Sequence, residues 1–213
     1  MATYKKGILG VFSGKVGTVV GSSWKGIHYM RSLPKASSKA ATPLQRDQRI
    51  KFALVTGFLK PIKHLTNIGY QSVAGSLSPF NAIVSHHLSN AVIGASPDFS
   101  IDYPRVVFSR GELPGISNPQ LNAVAGNTLA ISWQDNSQAN LAKADDKAIV
   151  LVYNPTTSEF IIDDLGLRAD ASLNLSLPPN YVGDTVQVWM AFFASDHKLV
   201  STSIYMGEVT VVA

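Results

Sequence analysis

From Tyr103 onward, apolar side chains return at every second position, and this period limits the fold more than any other feature of the chain. Leu129, Ile131 and Trp133 alternate with Thr128, Ala130 and Ser132, and Leu173, Leu175 and Leu177 alternate with Ser172, Asn174 and Ser176. Successive side chains of a strand point to opposite faces, so a period of two describes half-buried strands and not helices. Strands are predicted over 105–108, 128–134, 148–153, 159–162, 172–177, 185–194 and 201–212. Turn-forming clusters such as Leu113-Pro-Gly-Ile-Ser-Asn-Pro and Leu177-Pro-Pro-Asn separate them.

Seven short strands at this spacing predict an immunoglobulin-like β-sandwich over residues 103–213. A Trp on the second strand, a Tyr on the third, a leucine-rich fifth and a sixth followed by Ser195-Asp-His-Lys make it similar to the fibronectin type III variant. The tyrosine that variant carries near the start of its sixth strand is replaced here by Val186 or Val188, so the expectation rests at the broader class. On that strand Val186, Val188, Met190 and Phe192 are expected to line the core, with Trp189 and Phe193 on the opposite face. An antiparallel sheet usually wets its outer face. A Trp and a Phe there predict cover from the helices or from another subunit, and both are assigned as candidate assembly contacts.

Before the sandwich the period lengthens. Thr42-Pro43 reads as an N-cap followed by proline at the first helical position, and Leu44, Phe52, Val55 and Leu59 fall near helical spacing up to Pro61. A second helical stretch is expected from Ile62 to about Ala74, and Ser78-Pro79 opens a third, Phe80 to Ile93, with Gly94 as its stop. Residues 43–94 thus form a helical unit, too small to bury a comfortable core alone. Residues 34–42 read as a small, polar, basic linker.

Residues 1–33 are punctuated by Gly7, Gly10, Gly14, Gly17, Gly21 and Gly26. The steps of three and four would align a glycine face on a helix, but each glycine costs a helix about 1 kcal/mol relative to alanine. A β-meander fits better: strands Ile8–Phe12, Val16–Val20 and Trp24–Arg31, with turns at Ser13-Gly14 and Gly21-Ser22. The fold class is therefore α+β, mainly β: a glycine-rich β arm, a small helical unit and a C-terminal sandwich, in separate blocks.

Charge divides along the chain as pattern does. The total is 18 basic and 14 acidic residues, yet residues 1–63 hold twelve Lys or Arg against Asp47 alone. Such asymmetry points to an acidic partner or to another copy. Within the arm, Lys5, Lys6, Lys15, Lys25 and Arg31 interleave with Trp24, Ile27 and Tyr29, the mixture that can stack bases and neutralise phosphates or enter a neighbour's pockets. A hydrophobic fraction of 46% excludes a disordered chain. No apolar run reaches the length of a membrane span and no signal peptide is visible, which leaves a cytoplasmic default, with virion-like or extracellular assembly also compatible.

Residues with recognisable chemistry do not combine into a site. The absence of cysteine excludes disulfides, thiolate zinc sites and thiol nucleophiles. Gly14-Lys15 lacks both the spacing of a P-loop and the Ser or Thr that follows its lysine. His86 and His87 are adjacent on a predicted helix, so their rings diverge, and they are expected at surface or partly buried positions. Asp163-Asp164 and Asp170 do not follow a calcium loop, and no Gly-x-Ser-x-Gly elbow occurs. The expectation is no catalytic residue, no metal and no cofactor.

The opening Gly7-Ile-Leu-Gly-Val-Phe-Ser-Gly-Lys-Val-Gly, continued through Trp24 to Pro34, resembles that of an uncharacterised domain family of Bacteroidota proteins of about this length. The likeness extends through Arg49-Ile-Lys-Phe-Ala, Pro79-Phe-Asn-Ala and Val152-Tyr-Asn-Pro. It implies no activity and no site residues. Together these features predict a non-enzymatic structural protein that assembles with copies of itself, as filament, tube or shell, through its arm. The alternative is a protein that grips nucleic acid or another polyanion with the same basic arm.

Overall fold

The computed structural model describes residues 3–4, 10–35 and 39–213, and the chain divides into two compact units, Met1–Thr42 and Pro43–Ala213. The first is an antiparallel sheet of β1 (Thr3–Tyr4), β2 (Phe12–Val16), β3 (Val19–Trp24) and β4 (Ile27–Ser32), in that order across the sheet. The arm is a meander, but its turns are not where the sequence placed them. They fall at Gly17-Thr18 and Lys25-Gly26, where Gly17, Lys25 and Gly26 have φ of 57°, 47° and 83°. Tight two-residue hairpins demand positive φ at both central residues, as at Lys25-Gly26, or at the first alone, as at Gly17-Thr18. Gly14 and Gly21, expected in turns, are instead cross-strand partners. A side chain on Gly21 would strike the Phe12 backbone and, at 2.7 Å, its ring, so this glycine lets Phe12 lie over the sheet. Of the expected strand over Ile8–Phe12, residues 8–9 fall outside the described residues, Gly10 and Val11 are not strand, and Phe12 opens β2.

The second unit begins with α1 (Pro43–Leu59), α2 (Lys63–Gly69) and α3 (Pro79–Asn90). Pro79 fills the first position of α3, and the Ser78 hydroxyl accepts the Asn81 N–H at 3.2 Å. Helix α2 stops short of Ala74 because the Gly69 carbonyl is taken by the Arg110 N–H at 2.8 Å. Helix α3 ends before Ile93, and Gly94 is no helix stop: it lies in a hairpin of β5 (Val92–Ala95) and β6 (Asp98–Ile101). Residues 105–108 are not a strand. Pro104 sits in a 3₁₀ turn over Tyr103–Arg105, and the N–H groups of Val107 and Phe108 go to His87 Nε2 at 3.3 Å and Ser203 Oγ at 2.9 Å, so none is left for a ladder.

Seven strands follow: β7 (Ser117–Val124), β8 (Thr128–Gln134), β9 (Lys147–Asn154), β10 (Glu159–Leu167), β11 (Ser172–Ser176), β12 (Thr185–Phe193) and β13 (Ile204–Thr210). The first of them starts inside the segment read as a turn, with a register shift between Ser117 and Gln120 absorbing Pro119. The sheets are β11-β8-β7 and β10-β9-β12-β13, all neighbours antiparallel, the arrangement of an immunoglobulin-like sandwich.

The unit has three layers. Val186, Val188, Met190 and Phe192 meet Leu129, Ile131 and Trp133 between the sheets, while Trp189, Ala191 and Phe193 meet Val55, Phe58, Leu59 and Ile83 of the helices. Trp189 and Phe193, assigned as assembly contacts, are therefore core residues, 0% and 1% exposed. The helices supply the cover, because an amphipathic helix layer that cannot bury its own apolar stripe finds it on the outer face of the sheet. Tyr181 precedes β12 on a 3₁₀ turn, is buried, and donates its hydroxyl to Glu159 Oε2 at 3.2 Å.

Candidate functional site

The arm sheet gathers most of the residues singled out in the sequence. Antiparallel pairing places Trp24 opposite Ile27, Ser22 opposite Tyr29, Val20 opposite Arg31 and Lys15 opposite Val20. Directly opposed residues share a face. Lys15, Trp24, Ile27, Tyr29 and Arg31 consequently stand on one side of the sheet, and all five are exposed. Trp24, Ile27 and Tyr29 expose 49%, 68% and 44% of their surface, far more than packed strand residues do. Lys25, in the turn, carries its ammonium 5.9 Å from the centre of the Trp24 ring. Lys5 and Lys6 lie outside the described residues.

The other face was missed. Gly14, Gly21, His28 and Met30 share it with Phe12, and a hollow of about 220 Å³ opens among Phe12, His28 and Met30. Met30 is 71% exposed. Strict alternation along Ile27–Ser32 would have found Met30, but attention to charge and aromaticity passed over it.

Strand β4 is also a free edge among the described residues, since β3 lies on one side and no strand on the other. The Lys25-Gly26 hairpin sets which backbone groups are used. Trp24–Ile27, Ser22–Tyr29 and Val20–Arg31 are the hydrogen-bonded pairs, continued by Leu33 N–H to Thr18 O at 2.7 Å. His28, Met30 and Ser32 therefore turn their N–H and C=O outward from the sheet.

In the second unit a cleft of about 430 Å³ is walled by Phe58, Phe99, Tyr103, Tyr153 and Phe160. Phe58 stands edge-on to Tyr153 and Phe160 at 5.1 Å, and Lys51 lies 4.6 Å over Phe99. Burial, and then Tyr153, push the Tyr103 phenol up. These residues come from five elements and carry no shared motif, so no sequence signal could assemble them.

Two buried polar groups were also invisible in the sequence. His87, expected at the surface or partly buried, is fully buried: its Nδ1–H donates to Ile83 O at 2.9 Å while Nε2 accepts from Val107. Burial lowers its pKa to about 4. Arg168, fully buried, holds Asp146 at 3.0 Å and lies 3.9 Å over the Phe192 ring, and its carbonyl accepts the Trp133 indole N–H at 2.8 Å. Both are built into the core with backbone partners. Among the described residues, no three His, Cys, Asp or Glu side chains cluster as metal ligands, and no helix is long and apolar enough to cross a membrane.

No curated protein matches the chain. Among solved structures it is similar to the fibronectin type III domain of the human collagen alpha-1(XX) chain, at 13% identity and a TM-score of 0.35, over 47% of this chain and 88% of that one. It is also similar to the fibronectin type III domain of human contactin 1, at 13% identity and a TM-score of 0.32, over 58% and 88% respectively. A family model matches residues 11–207, spanning the arm, the helices and the sandwich, and the chain belongs to that family, DUF6266, a family of unknown function.

Proposed function

We propose that this protein is a non-enzymatic structural protein that assembles with copies of itself through its N-terminal sheet. The observation that carries the reading is the placement of Lys15, Trp24, Ile27, Tyr29 and Arg31 on one exposed face beside a free edge strand. Exposed aromatic and aliphatic side chains on a strand whose edge is unpaired are what strand addition uses: main-chain bonds supply affinity and alternate side chains fill pockets. Residues 1–42 contain seven Lys or Arg and no acid, whereas residues 43–213 contain eleven and fourteen, so the two units of neighbouring copies attract. The same proposal assigns the chain to the Bacteroidota on its opening residues, Gly7 to Gly17. Deleting residues 1–33 is expected to give a monomer by light scattering, and electron microscopy of the full chain to show a polymer. A full-length chain that is monomeric at high concentration overturns the reading.

A second reading is favoured by Lys25 beside Trp24 and by Lys15 and Arg31 on the same face as Tyr29. Aromatic faces among cations suit a polyanion such as single-stranded nucleic acid. Its signature is affinity that falls steeply with salt; a shift assay with no binding at low salt eliminates it.

A further inference from the structure

Assembly through an arm needs an acceptor, and the second unit carries one candidate edge unlike its others. Strand β10 closes the four-stranded sheet, with β9 on one side and no described strand on the other. Glu159 to Asp163 pair in unbroken register with Asn154 to Val150, and a bulge between Asp163 and Gly166 then bends the strand. Beyond the unbroken stretch the Asp163 carboxylate accepts the Leu165 N–H at 2.9 Å, and Leu165 projects outward.

Exposed apolar surface singles this strand out. The four most exposed large apolar side chains among the described residues are Leu165 at 83%, Leu44 at 77%, Met30 at 71% and Ile27 at 68%. Three of the four stand on just two strands, β10 and β4, and both are free edges. Ile162 and Leu167 add further exposed area to β10. Beside the strand runs a groove of about 450 Å³ between Pro61, Ile62, Phe160, Ile162, Pro178 and Tyr181. Folded proteins usually blunt such an edge. The bulge does so only past Asp163, leaving a five-residue stretch open to pairing.

Charge on the two strands themselves is opposite in sign. Strand β10 carries Glu159, Asp163 and Asp164 and no basic residue. Asp164, half exposed, faces Lys147 at 3.5 Å, and Glu159 accepts from Tyr181. Lys60 and Lys63 flank Pro61 and Ile62 on the far side of the groove. Strand β4 carries Arg31, with Lys25 in its turn and no acid anywhere in its unit.

We propose that the β10 edge, from Glu159 to Asp163, is the acceptor for strand β4 of a second copy, with the exposed side chains of β4 entering the groove beside Phe160 and Ile162. This rests on the assembly reading above and names its receiving surface. The β4 groups that bond across are those of His28, Met30 and Ser32, which the arm's own ladder leaves outward.

The chain contains no cysteine, so single cysteines report contacts without background. Full-length Met30→Cys and Ile162→Cys chains, mixed and oxidised, are expected to give a disulfide-linked mixed dimer. Met30→Cys mixed with Val124→Cys, at another exposed sandwich position, gives none. Ile162→Lys, at an exposed site that leaves the fold intact by urea titration, should weaken assembly by about tenfold or more, since it sets an ammonium group against the apolar side chains that enter the groove. Met30→Pro removes an outward N–H and no ladder bond, and should abolish assembly. If Met30→Pro or arm deletion abolishes assembly while Ile162→Lys assembles normally and the Ile162→Cys mixture does not cross-link, the acceptor lies elsewhere and this proposal falls, although arm-mediated assembly stands. If arm deletion also leaves the oligomer unchanged, both fall.

Discussion

Strands β4 and β12 are built from similar residues and meet opposite fates. Ile27, Tyr29 and Met30 on β4 resemble Val188, Trp189 and Met190 on β12 in size and apolarity, yet every residue of β4 is exposed and every residue of β12 from Val186 to Phe193 is buried. Burial is not written into the strand. It depends on how many layers are available: β12 has helices against one face and a second sheet against the other, whereas the described residues of the arm's unit form a single sheet. A lone sheet has no second layer within its unit to cover its apolar side chains. The same chemistry that stabilises the body is thus left available for association in the arm.

That contrast predicts unequal sensitivity. The largest effect belongs to β12: Trp189→Ala removes a side chain packed on Tyr103 and Tyr205 and an indole bond to Tyr103 O at 3.1 Å, and should cost about 4 kcal/mol by urea unfolding. Loss of assembly without loss of stability in this variant would break the comparison. Next is Arg168→Ala, which leaves the Asp146 carboxylate buried and unpaired; about 3 kcal/mol is expected, because the surviving charge keeps its desolvation penalty.

Acid should act on the body through His87. Its pKa is about 4 when folded against 6.5 as the reference value, so the folded state favours the neutral ring. The stability this confers is complete above 6.5, falls as pH drops through the interval from 6.5 to 4, and is lost below it. The change amounts to about 3 kcal/mol. Burial, and then Arg110, lower His86 as well and add in the same direction. Urea midpoints measured across this interval check it, and His87→Gln should flatten the profile.

The smallest effect on stability should come from the arm. Ile27→Ala, at 68% exposure, is expected to change unfolding free energy by less than about 0.5 kcal/mol while lowering the assembled fraction by light scattering. A large stability loss there would show that the arm is packed as the body is. Gly21→Val should displace Phe12 and speed amide exchange in β2 and β3, with exchange in β12 unchanged.

Much of the architecture could be read directly because it depends on local pattern. The alternation of Leu129, Ile131 and Trp133 specified β8 and its inner face, and Ser78-Pro79 specified the start of α3. Errors arose where a local signal had a tertiary competitor. Ser13-Gly14 looks like a turn, but Gly14 pairs opposite Gly21 within the ladder, at a φ of 109° that favours glycine, and the turn moved to Gly17. Residues 105–108 have strand composition, but their amides are claimed by His87 and Ser203, residues 20 and 95 positions away. The candidate surface was legible in part. Trp24, Ile27 and Tyr29 were visible as exposed-strand chemistry, whereas Met30 and Leu165 required knowing which edges are free.

The sequence by itself determined the order of arm, helices and sandwich, the two charge regimes and the strands from β8 to β13, because periodicity, caps and turn residues act between near neighbours. The tertiary structure decided which apolar faces are covered. Trp189 and Phe193 carried the same pattern whether helices or another subunit lay over them, and only the packing of α1 and α3 on the sheet separates the two. Burial is a property of pairs of surfaces brought together across the chain, and a one-dimensional pattern records just one surface of each pair.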